Sequence, residues 1–224
     1  MSCWTALFSP MLGIVLLAGS PAPLARSCTR VWARGVLFLL RWVVGLDVSV
    51  MGQENIPSKP SLIISNHESA WETIFFLVLF PDVAIVTKQE LLKIPVFGSF
   101  LRLSRMITID RESGSKAIRK MVDEGTQALS EKRHILIFPQ GTRGEPGEPV
   151  EFKRGVELLY AKLECDVLPV AMNSGDFWRK AQPLKSGRIE VSCLPIIPAS
   201  LDAKDAIKAA ETEVQLALNK IRAV

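Results

Sequence analysis

From residue 47 onward, seven short apolar runs are spaced along the chain: DVSVMG (47–52), SLIISN (61–66), VAIVTK (83–88), RMITID (105–110), HILIFP (134–139), VLPVAM (167–172) and RIEVSCL (188–194). They are rich in Val and Ile, and most are continuous rather than alternating, the pattern of strands covered on both faces. Helical spacing fills the intervals. ESAWETIFFLVLF follows the second run. In residues 115–131, Ile118, Met121, Val122, Gly125 and Leu129 recur at helix period behind Ser113 and Ser115 as candidate caps. From Asp202 onward, apolar and charged positions alternate as on a surface helix. No internal repeat or low-complexity linker interrupts the pattern. The predicted fold class is α/β: one domain over residues 47–224, with a largely parallel or mixed sheet of about seven strands flanked by helices.

The first 46 residues follow a different pattern, and the expected boundary lies there. Residues 1–25 carry no charged side chain, and Arg26 is the first. A signal peptide would have a positive start that is missing here. A full span needs about 20 uninterrupted apolar residues, whereas Pro10, Pro21 and Pro23 break this stretch. A third reading rests on residues 27–46. At about 100° per residue, Arg26, Arg30, Arg34 and Arg41 fall within an arc of roughly 80°, with Trp32, Val36, Phe38, Leu39, Leu40, Trp42 and Val43 around the remainder. A narrow arginine stripe on an apolar helix suits a membrane interface. Residues 1–46 are therefore expected to be membrane-associating helices. The plainer alternative is a helix packed on the domain with its arginines in water.

Composition narrows the class further. Lys and Arg total 27 against 23 Asp and Glu, a formal net charge of +4. That excess favours anionic lipid surfaces, and no nucleic-acid partner is expected. The four cysteines, Cys3, Cys28, Cys165 and Cys193, have no paired spacing, and there are two histidines. A disulfide framework and a zinc site both lack support.

One of those histidines opens the chemical reading. In NHESAWE (66–72), His67 follows an apolar run and Glu72 comes five residues later. On one continuous helix they would point about 140° apart. With His67 just before a helix and Glu72 one turn inside it, the side chains can meet. A carboxylate on one imidazole nitrogen fixes the tautomer and leaves the other nitrogen as a base. No serine or cysteine in a nucleophile-elbow setting accompanies the pair, which favours direct attack by a substrate hydroxyl. A histidine that merely caps a helix is the alternative. In FPQGTRGEPGEPVEFKRG (138–155), a strand runs into a glycine turn beside Arg143, a cradle suited to phosphate, with Lys153 shortly after and Gly155 opening a helix. Lys88 and Arg111 also lie at strand ends. If those ends share one edge, four cations gather near His67.

Taken in order, NHESAWE, the IDR strand end, FPQGTR and the VLPVAM strand resemble the glycerolipid acyltransferase family, in its 1-acyl-glycerol-3-phosphate acyltransferase branch. The resemblance runs from Asn66 to about Met172. It implies transfer of a fatty acyl group from an acyl thioester, acyl-CoA or acyl carrier protein, to the free sn-2 hydroxyl of lysophosphatidate, giving phosphatidate in phospholipid biosynthesis. By the same carry-over His67 is the base and Glu72 its orienter. Lys88, Arg111, Gly141, Thr142 and Arg143 bind the substrate phosphate, and Lys153 and Pro169 are additional substrate contacts. It implies no metal and no cofactor, the partners being lysophosphatidate, the acyl donor and membrane lipids. The expected location is the cytoplasmic face of a bacterial inner membrane.

Three positions depart from the family pattern. Glu72 stands for the usual aspartate, Gln140 for a glutamate, and Arg105 where the second block often has glycine. None removes a catalytic group, but they leave the acceptor open, with lyso-ornithine lipid as an alternative. A non-catalytic lipid-binding protein of the same fold is the rival from another class.

Overall fold

Seven strands form one sheet in the computed structural model, which describes residues 22–94 and 97–223. They are β1 (Leu46–Met51), β2 (Leu62–Ser65), β3 (Ala84–Lys88), β4 (Ile107–Ile109), β5 (Ile135–Ile137), β6 (Val167–Met172) and β7 (Gly187–Cys193), in the spatial order β1-β7-β6-β2-β5-β3-β4. All neighbours pair in parallel except β6 and β7. The five strands from β6 to β4 therefore point the same way and present their carboxyl ends along one edge, where open sheets of this kind place ligands. β7 and β1 run the other way.

Continuous apolar runs form the central strands because both faces are covered. On one side of the sheet α1 (Ala22–Leu39), α2 (Trp71–Leu79) and α3 (Phe97–Leu103) bury Ala33, Val36, Trp71, Phe75, Phe76 and Leu101 against Ile63, Ile85, Leu136 and Leu168. On the other, α4 (Ser115–Ser130), α5 (Gly155–Leu163) and α6 (Ala203–Arg222) cover Leu62, Ile64, Val86, Ile107 and Ile137 with Ala117, Met121, Leu159 and Ile207. Alternate residues of each strand thus serve opposite layers.

The helix ends differ in part from expectation. Asp202 caps α6 by accepting from the Lys204 N–H. Neither Ser113 nor Ser115 caps α4: its cap position is Gly114, and the Ser113 hydroxyl donates to the Asp110 carbonyl instead. Arg105 precedes β4 with φ at 50°. Glycine adopts that left-handed region at no steric cost, whereas a side chain such as that of Arg105 is strained there.

α1 divides the arginine stripe. Its residues Ala25, Thr29, Ala33 and Val36 face the core, and Arg26 and Arg30 turn to Asp82 at 3.2 Å and 3.1 Å. Arg34 and Arg41 stay exposed. They flank an outward face that carries Leu24, Val31, Phe38 and Trp42, all exposed. The helix continues through a π-helical turn (Leu40–Val44) and stops at Gly45, whose φ of 75° lets its N–H return to the Arg41 carbonyl. No helix among the described residues is long and apolar enough to cross a membrane. The apolar stretch before residue 22 lies outside the described residues.

Candidate active site

β2 delivers the NHESAWE loop to the carboxyl edge of the sheet. Asn66 ties the loop down: its side chain bonds both the N–H and the carbonyl of Met172 at the end of β6, at 3.0 Å and 2.8 Å. The His67 N–H donates to the Gln140 amide oxygen at 2.7 Å, and the His67 carbonyl accepts from the Gly144 N–H at 2.8 Å. The histidine backbone is therefore clamped from the β5–α5 loop. Gln140 retains the acceptor that a glutamate would supply, so replacing the charge leaves this clamp in place.

The imidazole is positioned by two further groups. Its ring stacks on Phe138, with centroids 4.2 Å apart. Its Nδ1 lies 2.5 Å from Glu72 Oε2. Glu72 is fully buried in the first turn of α2, a region favourable to an anion. Its other oxygen, Oε1, accepts from the N–H groups of Glu68 and Ser69, both at 2.8 Å, and from the Ser174 hydroxyl. With three donors aimed at Oε1, the carboxylate is arranged as an acceptor, so Nδ1 is placed to donate the shared proton, and in the neutral imidazole Nε2 is then the nitrogen with the free lone pair. Ser69 and Ser174 are both engaged, since the Ser69 hydroxyl oxygen accepts from the Trp71 N–H.

Beside this pair is a cavity of about 860 Å³. Ile74, Leu77, Ile85, Leu91, Phe100, Leu101 and Met106 line it with apolar surface. Lys88 from the end of β3, Arg111 after β4, and Gly141, Thr142 and Arg143 after β5 line it with polar groups. The parallel sheet thus brings together His67 and five residues that lie 21 or more positions away in sequence. Partial enclosure lowers the Arg111 pKa, with Glu90 opposing. It remains a cation at any ordinary pH.

Residues 47–173 match the Acyltransferase family. The chain belongs to this family. It is 39% identical over 177 residues to the 1-acyl-sn-glycerol-3-phosphate acyltransferase of Pseudomonas aeruginosa, covering 79% of this chain and 69% of that protein. It is 31% identical over 169 residues to 1-acyl-sn-glycerol-3-phosphate acyltransferase alpha of Ovis aries, covering 74% of this chain and 59% of that protein. The fold also matches the crystal structure of the 1-acyl-sn-glycerophosphate (LPA) acyltransferase PlsC from Thermotoga maritima. The TM-score is 0.72 at 20% identity, covering 97% of this chain and 95% of that one.

Within this acyltransferase, other expected contacts sit elsewhere. Lys153 does not line the cavity; it lies beneath the Gly141 turn, where a Cβ on Gly141 would come 3.1 Å from its Nζ. Pro169 is buried inside β6, paired in register with Ile64, and does not reach the cavity. The turn itself supplies less than a full backbone cradle, because the Gly141 N–H returns to the Phe138 carbonyl at 3.0 Å. Gly141, at φ 72°, gives the turn its shape rather than a donor to a ligand. Sequence reasoning missed Ser174, Arg179 and Lys180. The two cations line the cavity from the β6–β7 segment. None of the three carries a local signal, since each meets the site only through the return of β6.

Proposed function

We propose that this acyltransferase moves a fatty acyl group from an acyl thioester to the sn-2 hydroxyl of lysophosphatidate, with His67 as general base. The observation that carries the reading is the 2.5 Å contact between His67 Nδ1 and Glu72, beside an apolar cavity that Lys88, Arg111 and Arg143 also line. Nε2 takes the hydroxyl proton as the oxygen attacks the thioester carbonyl, and Glu72 stabilises the resulting imidazolium. The tetrahedral intermediate collapses by breaking the C–S bond. The imidazolium then returns its proton to the departing thiolate, so an ester and a free thiol are the products. No serine or cysteine lines the cavity among the described residues, which supports direct attack over an acyl-enzyme. The apolar lining suits an acyl chain, and the cations suit a phosphate monoester.

The same reading places the protein at a membrane surface, on the cytoplasmic face, where its lipid substrate resides. The exposed face of α1 and of the π-helical turn that extends it, with Leu24, Val31, Phe38 and Trp42 beside Arg34 and Arg41, supports attachment within one leaflet. Trp32 of the same helix lines the cavity, so α1 links that face to the site.

The test is thiol release by purified protein in mixed micelles, with acyl-CoA and acyl carrier protein as donors. Lysophosphatidate, a lysolipid with a larger head group and lyso-ornithine lipid serve as acceptors. Phosphatidate formation that needs acceptor and disappears in His67→Ala supports the reading. Thiol release without acceptor indicates a thioesterase, and turnover only with another lysolipid transfers the mechanism to that acceptor.

A further inference from the structure

The side chain of Glu68, between the histidine and the start of α2, is used by neither the base nor the phosphate subsite, yet the residue lines the cavity and is almost completely buried. Its carboxylate accepts from Arg222, in the last turn of α6, at 2.6 Å, and from Asn66 Nδ2 at 3.3 Å. Arg222 also pairs with Asp176, on the turn after β6, at 3.1 Å. The main-chain N–H of Glu68 meanwhile donates to Glu72 Oε1. One residue is thus held by its side chain to α6 and by its backbone to the carboxylate that orients His67. Gly175 closes the remaining space: a Cβ there would come 2.7 Å from both Cβ and Oε2 of Glu68.

We propose that Arg222 is a positioning residue for the His67–Glu72 pair and acts through Glu68. The proposal rests on the assignment of that pair to acyl transfer. The guanidinium fixes the Glu68 side chain against Gly175, and that placement keeps the Glu68 N–H on Glu72. Burial pushes the Glu68 carboxyl up to about 7, Arg222 opposes the rise, and Glu72 and Asp176 add to it. Without Arg222 a buried carboxyl remains beside two others, the costly way to break such a pair. The loop then relaxes by moving Glu68, and its N–H leaves Glu72. A shift of about an ångström at a reacting group can slow chemistry by roughly 10²-fold, and a smaller one by about tenfold.

The experiment is a double-mutant cycle on the full chain with Arg222→Gln and Glu68→Ala, and with Arg222→Lys as the conservative variant. Two readouts are taken: steady-state acyl transfer, and the downfield proton resonance of the His67 Nδ1–H bonded to Glu72. The expected result is a kcat about tenfold lower in each single variant, with KM for both substrates unchanged within about twofold. The resonance moves upfield in both. The double variant is no worse than either single, because the two residues act in series, and Arg222→Lys restores most of the kcat. A merely structural role lowers thermal stability but leaves the resonance in place.

An unmoved resonance in a folded Arg222→Gln overturns the proposal, as do losses that multiply in the double variant. If Arg222→Gln does not fold, Glu68→Ala carries the same test, and an unmoved resonance there is equally fatal. Wild-type protein without acyl transfer would sink the reaction assignment, while the resonance still decides the role of Arg222.

Discussion

Glu72 Oε2 lies 2.5 Å from His67 Nδ1, while Oε1 of the same carboxylate is held by two backbone N–H groups and the Ser174 hydroxyl. The two oxygens have different tasks. One is anchored to the fold, and the other presents a fixed charge to the imidazole.

Shortening or neutralising this group should separate those tasks. Glu72→Asp withdraws the carboxylate by one methylene, so it cannot keep both sets of contacts, and kcat should fall about 10- to 100-fold. Glu72→Gln should cost roughly 10³-fold or more, since an amide cannot stabilise the imidazolium. Ser174→Ala removes one anchor and should cost about tenfold in kcat with little change in KM. Steady-state kinetics alongside circular dichroism melts check all three, and an Asp variant as active as wild type would contradict the anchoring argument.

The cations should report on the acceptor. Arg143→Ala and Arg111→Ala are expected to raise KM for lysophosphatidate about 10- to 100-fold with a smaller fall in kcat, because on the proposed reading each side chain supplies a charge-assisted contact to phosphate. Lys88→Ala should be milder. Equal losses with a lysolipid that lacks a phosphate monoester would show that these residues act on something else.

Stability should depend on pH through Glu68. Its carboxyl titrates at about 7 in the folded protein and near 4.5 unfolded. Between those values the folded state holds a proton that the unfolded state has released. This group's contribution is therefore complete below the unfolded value, falls as pH rises through the window, and is lost above the folded value. The amount is on the order of 3 kcal/mol. Urea unfolding of wild type and Glu68→Gln at about pH 5 and about pH 7.5 isolates it. The advantage of wild type over the variant should be larger at the acid pH, and the reverse order would refute the assignment.

Arg133 offers a purely structural prediction. This buried guanidinium donates to the carbonyls of Asp82, Val83, Ser104 and Arg105, at 2.9 Å to 3.3 Å. Arg133→Met fills similar space but leaves four acceptors without that donor. The expected loss is about 3 kcal/mol or more, with His67 chemistry intact in the surviving folded fraction. Denaturant midpoints and specific activity per folded molecule measure the two separately.

The short range of the site was legible because its chemistry is compressed into contiguous letters. His67 and Glu72 meet because a loop residue and a first-turn helical residue can close a gap that one helix cannot. Lys88, Arg111 and Arg143 were legible as strand-end cations, given only that the strands run parallel. The limits were equally physical. An arginine stripe read on a helical wheel cannot register Asp82, 56 positions from Arg26 and contributed by the turn before β3. Likewise the helical period marks a cap position but not whether its side chain has a better partner, as Ser113 does in the Asp110 carbonyl.

By itself the sequence determined the α/β class, the seven strands and the family motifs and pointed to the His67–Glu72 pairing, because each depends on local period or on residues a few positions apart. Only the tertiary structure decided what surrounds that pair. Phe138 stacks on the imidazole, Ser174 reaches Glu72 across 102 positions, and Arg222 reaches Glu68 across 154. Those contacts arise from strand order and from the packing of α6 beside β6. Chain folding sets such distances between groups far apart in sequence, and no local pattern encodes them.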